Sequence, residues 1–144
     1  MDLKLIVDGY QTTGQLMPDD IATLAAQGVK TLICNRPDME NPPALQASVF
    51  QDLAEQHGIE FVFNPFNGQT LSLAHVEEQA DAIAGSDGPV VAYCASGNRS
   101  TVVWALGVAG DRSVDELIAI GNGAGHPFDG LRPMFEAAAA RNTE

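Results

Sequence analysis

The stretch that most constrains this chain is Pro89 to Val108, PVVAYCASGNRSTVVWALGV. Pro89 to Tyr93 reads as a short buried strand, Cys94 to Arg99 as a tight loop, and Ser100 to Val108 as the start of an apolar helix. A strand that turns through such a loop into a helix builds an anion cradle. The first N–H groups of a helix lack intrahelical partners and carry the positive end of its dipole. Cys94 stands at the loop's first position, facing whatever the cradle holds. The helix end and Arg99 both favour a thiolate there, so the loop offers a nucleophile and an oxyanion site together.

The residues between Cys94 and Arg99 suit that task. Gly97 permits close backbone approach and Ser100 can cap the helix, while Ala95, Ser96 and Asn98 complete the ring around a bound anion. The alternative of a nucleotide-binding P-loop fails, because no Gly-Lys-Ser or Gly-Lys-Thr follows a longer glycine loop.

At 144 residues the chain is expected to form one domain, residues 1–144, with a substantial core. The net charge is −12, so nucleic acid and anionic membrane are excluded as partners. An anionic substrate must then be held by local charge, and only Lys4, Lys30, Arg36, Arg99, Arg112, Arg132 and Arg141 can supply it. That points to a small anion. MDLKLIVDGY is too short and too acidic for a secretory leader, and no apolar run reaches membrane-spanning length, so a cytoplasmic location is expected.

Read in order, Leu3 to Val7 and Tyr10 to Gly14 are two short extended pieces. A helix follows from Met17 with Ile21, Leu24 and Ala25 inward, then a buried strand from Val29 to Cys34. After the polar loop NRPDMENPP comes a helix over Ala44 to His57, and IEFVFNP is the next strand. A helix from Leu71 to Gly85, with Leu73, Val76, Ala80 and Ile83 inward, leads into the strand before Cys94. Two further helices, Ser113 to Gly125 and Asp129 to Arg141, read as packing elements. Such alternation implies an α/β fold with a mainly parallel sheet covered on both faces. Ligands bind at the carboxyl ends of such strands, which gathers Asn35-Arg36-Pro37, Asn64 to Gln69 and Cys94 to Arg99 on one rim.

Several residues carry two readings. Arg36 is either a second substrate-binding cation or one half of an ion pair with Asp38 or Glu40. Cys34 is a core thiol or a resolving partner for Cys94. His57, His75 and His126 show no metal-ligand spacing, so neither metal nor cofactor is assigned. Glu77, Glu78 and Asp81 form a solvated helix face, and Trp104 belongs to the core.

With TGQLMPDDIATLAAQGVKTLICNRPDMEN at the front and GPVVAYCASGNRSTVVWAL at the back, residues 3 to 110 resemble the phosphatase-like domain of beta-lactamase-hydrolase-like proteins, also described as a sulfur-transferase family. The resemblance implies a single-domain fold like that of tyrosine and dual-specificity phosphatases, with a four-stranded, mainly parallel sheet flanked by helices. It implies Cys94 as nucleophile, Arg99 as anion-binding arginine, and a role for Asn35, Arg36 and Pro37. The family's fused members imply a metallo-hydrolase partner.

Two departures separate the chain from a phosphatase. The loop between Cys94 and Arg99 is one residue shorter than the tyrosine-phosphatase signature, as in rhodaneses, and Tyr93 replaces the histidine before the cysteine. Asn64 to Gln69, where those phosphatases carry a general acid, has no carboxylate. The expectation is therefore a sulfurtransferase working through a Cys94 persulfide. A phosphatase acting through a phosphocysteine and a non-catalytic oxyanion-binding module are the alternatives.

Overall fold

A computed structural model describes residues 1–144. Its centre is a five-stranded mixed sheet of β1 (Lys4–Val7), β2 (Tyr10–Thr13), β3 (Thr31–Cys34), β4 (Glu60–Phe63) and β5 (Val90–Tyr93) in the order β1-β2-β5-β3-β4. The last four run parallel, and only β1 is antiparallel to its neighbour. The fifth strand, beyond the four that the resemblance implied, exists because Asp8-Gly9 closes a two-residue hairpin. Gly9 has φ +85°, the left-handed conformation such a turn needs.

β5 is central and buried along its whole length, as its apolar sequence requires. Its pleat sends Val90 and Ala92 to one face and Val91 and Tyr93 to the other. The first face is covered by α3 (Leu73–Ala84), α4 (Asn98–Val108), α5 (Val114–Gly123) and α6 (Arg132–Asn142). The second lies under α1 (Asp20–Ala26) and α2 (Ala47–Gln56). Trp104 is in the larger core, stacked on Tyr10 with ring centroids 6.2 Å apart.

Helix α3 departs from its expected face. Val76 is buried, but Leu73 is 46% exposed and Ala80 is exposed, while Gln79 is fully buried. Gln79 lies inside because it joins a network of buried polar groups that no hydrophobic period encodes. Glu77, Glu78 and Asp81 are exposed.

Gly121 of α5 is packed against the Phe128 ring, and a Cβ there would overlap the Cγ, Cδ2 and Cε2 atoms of that ring. Phe128 is fully buried and rests on Phe135, with centroids 5.4 Å apart, so it has nowhere to go. Gly121→Ala gains about 1 kcal/mol of helix propensity but incurs about 3 kcal/mol of overpacking. A net loss of about 2 kcal/mol is expected in urea unfolding, and an unchanged midpoint would contradict the packing described.

Candidate active site

The carboxyl ends of β2, β3, β4 and β5 form one rim, and β5 delivers Cys94 to it. The residue is fully buried. Its N–H donates to the Thr13 carbonyl at 3.3 Å, and its Sγ accepts a hydrogen bond from the Gly97 N–H at 3.1 Å. Gly97 caps α4 with φ +91°, and a Cβ there would stand 3.3 Å from the Thr13 carbonyl carbon. Glycine is therefore required by both conformation and space. Ser100 was expected to cap the helix, but Gly97 takes that position and Ser100 lies inside the first turn. Its fully buried hydroxyl donates to Asn35 Oδ1 at 2.8 Å.

The loop curls over Cys94 with its donors largely unspent. The N–H groups of Ala95, Ser96, Arg99 and Ser100 meet no protein acceptor; only Gly97, through the Cys94 sulfur, and Asn98, through Ser96 Oγ at 3.4 Å, are used. Unpaired amides at a helix N-terminus make an anion site. Ala95 and Ser96 are exposed, with Asn98 and Arg99 half-buried beside them.

Arg99 does not point into empty solvent. Its two terminal nitrogens donate to both oxygens of Glu40, at 2.9 and 2.8 Å, and Nη1 also donates to the Phe66 carbonyl at 3.0 Å. Arg36 donates to the same Glu40 carboxylate at 3.3 Å and to Gln15 Oε1 at 3.2 Å. Of the two readings of Arg36, the structure shows the ion pair with Glu40. Asp38 is instead engaged by the Ala47 N–H at 2.8 Å. The hydrogen bond from Arg99, followed by that from Arg36, holds the Glu40 carboxyl below its ordinary value of 4.5. The same contact raises the Arg99 pKa.

The Glu40 shift has a sign. A carboxylate with a lowered folded-state pKa stabilises the fold above its ordinary value and loses that contribution as pH falls through the lowered one. Glu40→Gln should therefore cost about 1 kcal/mol or less at neutral pH, since the pair is partly exposed. The difference between variant and wild type should vanish at acid pH, as chemical unfolding across pH would show.

Beneath the rim, Tyr10, Asn35, Asn64, Gln79 and Ser100 form one buried network. The Asn35 amide donates to Gln79 Oε1 at 2.8 Å and to the Asn64 carbonyl at 2.9 Å; Gln79 Nε2 returns bonds to Asn35 Oδ1 and Tyr10 Oη, both at 3.1 Å. Tyr10 Oη then donates to the Ser100 carbonyl at 2.8 Å. This network ties three strand ends to the first turn of α4, so the anion loop is placed by buried hydrogen bonds. Asn64 belongs to a rim segment read from the sequence, whereas Tyr10 and Gln79 were not among the expected site residues, because a tyrosine opening a strand and a glutamine inside a helix carry no local signal of a shared network. Burial raises the Tyr10 pKa strongly, keeping its hydroxyl a donor.

Cys34 is a core thiol. It is buried, unbridged and hydrogen-bonded to the Arg36 carbonyl at 3.3 Å, and burial pushes it up to about 11. His126 packs over the loop: its buried Nε2 has no partner and would lie 3.6 Å from a Cβ at Gly97. Burial, and then Lys4, lowers its pKa, so it is neutral at neutral pH. It borders a cavity of about 660 Å³ along with Lys4, Gly14, Ser96 and Asn98. A second cavity, about 170 Å³, opens beside Arg99 and Phe66 and shares Asn98 with the first.

Gly14 is a further tight point. A Cβ there would lie 2.9 Å from the Ala95 carbonyl oxygen and 3.5 Å from Ser96 Cα. Because both are backbone atoms of the anion loop, Gly14→Ala must displace the loop. The expected result is a loss of about 1–3 kcal/mol of stability and about tenfold in turnover. Wild-type turnover in that variant would show that the loop has slack.

Residues 2–111 match the family described as beta-lactamase hydrolase-like protein, phosphatase-like domain. A beta-lactamase hydrolase-like protein of Agrobacterium fabrum is 33% identical over 116 residues, covering 81% of this chain and 27% of the relative. One from Xylella fastidiosa is 31% identical over 119 residues, with the same coverage. The chain thus spans about a quarter of the length of these relatives. Among solved structures, a Neisseria meningitidis protein described only provisionally as a phosphatase is 30% identical. It superposes with TM-score 0.83, covering 94% of this chain and 96% of its own. The active form of Tk-PTP shares the fold at 18% identity, with TM-score 0.70 and 95% coverage of each chain. With that likeness and the match over residues 2–111, the chain belongs to the phosphatase-like domain family of beta-lactamase hydrolase-like proteins.

Proposed function

We propose that the chain is a cysteine-dependent sulfurtransferase on a tyrosine-phosphatase-like fold. The Cys94 thiolate attacks the outer sulfur of a thiosulfate or thiosulfonate. The sulfur–sulfur bond breaks, sulfite or sulfinate leaves with the electron pair, and Cys94 becomes a persulfide. An acceptor thiolate or cyanide then attacks the outer persulfide sulfur and restores the Cys94 thiolate. Arg99 and the free loop amides hold the anionic group, and Arg36 adds a second cation when Glu40 swings aside.

The observation that carries this reading is the state of Glu40. It is the carboxylate that meets Arg99, and two arginines hold it ionised. Phosphomonoester cleavage needs a proton for the departing alkoxide, which a carboxylate so held supplies poorly. Sulfite and thiolates depart unprotonated. The four free amides and Arg99 also suit a phosphoryl group, and the fold is that of the phosphatases, so phosphate release through a phosphocysteine is the second reading. The relatives' greater length leaves room for a metallo-hydrolase partner as sulfur acceptor.

Thiosulfate with cyanide and p-nitrophenyl phosphate should be offered to the wild type in parallel, with the intact protein weighed after thiosulfate alone. Thiocyanate formation and a mass gain of one sulfur on Cys94 are expected. Phosphate release without either would leave the phosphatase reading in place of this one.

A further inference from the structure

The cavity beside Arg99 is the upper end of a longer groove. It is lined by Phe66, Leu71, Arg99, Val102 and Met134 among others. A third cavity, about 270 Å³, continues from it, because Leu71 and Met134 border both. The lower part is walled by Leu73 and Val76 of α3, Leu106 of α4, and Ala137 and Arg141 of α6. Along α6 the lining positions Met134, Ala137, Ala138 and Arg141 fall at one-turn spacing, and along α4 Val102 and Leu106 do the same. Asn142 Nδ2 donates to the carbonyls of Leu106 and Ala109, both at 3.0 Å, so α6 follows α4 downward from the rim.

Three features mark this groove as a place for something. Leu73 and Met134 stand on its edges 46% and 43% exposed, which is where apolar side chains await a partner. It begins at Arg99, the cation of the anion site, and becomes apolar immediately below. Its far end is closed by Arg141, whose guanidinium makes no ion pair or hydrogen bond and whose aliphatic stem extends the apolar wall. From Met134 to Arg141 the helix rises about 10 Å, which a chain of roughly eight carbons would span.

We propose that this groove receives a linear alkyl chain on the substrate, whose anionic head is held by the loop amides and Arg99. The inference rests on the reading of Arg99 and the loop as the anion site, and it names the substrate class: an amphiphilic anion with an unbranched apolar tail. The head takes the two guanidinium donors that Glu40 occupies, while the tail lies between α3, α4 and α6. The lower part is walled mainly by aliphatic side chains in register along α4 and α6, which suits an extended methylene chain.

Unreactive linear alkanesulfonates, from methane- to decanesulfonate, test this by calorimetry on the full chain below micelle-forming concentrations. Affinity should rise about three- to fourfold per added methylene and level off near eight carbons. Ala137→Trp, at an exposed position away from the anion loop, should flatten the series yet leave methanesulfonate binding unchanged. Arg99→Ala should weaken every member by a common factor. A flat wild-type series that still depends on Arg99 would overturn the groove and spare the anion site. A steep series indifferent to Ala137→Trp would also overturn the groove. A series indifferent to Arg99→Ala would overturn both.

Discussion

In the sulfurtransferase reaction proposed above, replacing Cys94 by serine is expected to lower sulfur transfer roughly ten-thousandfold or more, the scale seen when an enzyme loses its nucleophile. A hydroxyl at the same position is scarcely ionised near neutral pH and cannot form a persulfide, so both half-reactions fail together. The fold should survive, because the serine oxygen can accept the Gly97 N–H in place of sulfur and the site demands little volume. Thiocyanate formation from thiosulfate and cyanide, measured alongside the unfolding midpoint, reads both effects. Activity within tenfold of wild type in a folded variant would remove Cys94 from the chemistry. The remaining candidate would be Cys34, whose pKa of about 11 makes it a poor nucleophile.

Removing the guanidinium by Arg99→Ala is expected to reduce kcat/KM by about 100- to 1,000-fold, the usual cost of one preorganised charge-stabilising group. Arg99→Lys should recover little. The geometry at Arg99 is a planar fork, now shown by its two bonds to Glu40 at 2.9 and 2.8 Å, and an ammonium cannot reproduce it. The alanine variant also leaves Glu40 beside the loop with Arg36 as its remaining partner, so a negative charge stays where the substrate anion must go. The double variant Arg99→Ala with Glu40→Gln should therefore regain part of the lost activity. Equal activity in the single and double variants would show that Glu40 does not compete with substrate for this position.

Those two residues were legible before the fold was known, and the reason is local. A buried strand, a glycine-containing turn and a helix start at consecutive positions leave the chain few ways to run. The mainly parallel sheet followed from the alternation of elements in the same manner, whereas the strand order and the antiparallel pairing of β1 with β2 came only with the structure. The boundaries were less legible. The helix read from Ala44 is a short 3-10 turn at Pro43–Leu45 followed by α2, because Pro42 and Pro43 withhold amide donors. Helix α4 begins two residues before Ser100 because Gly97, in the left-handed region, makes the turn itself.

By itself, the sequence determined the α/β class, the strand-loop-helix turn with Cys94 at its head and Arg99 at its foot, and the absence of a carboxylate from Asn64 to Gln69. Each is a property of contiguous residues, set by period, turn chemistry and helix dipole. Only the tertiary structure decided that Glu40 grips Arg99 across 59 positions of sequence, that the Ser100 hydroxyl is spent on Asn35 while its N–H stays free, that Gln79 lies inside, and that α3, α4 and α6 leave a groove leading away from Arg99. Such contacts join segments distant in the chain. Their free energy comes from burial and from hydrogen bonds completed out of water, terms that exist only once the sheet has brought its strand ends together.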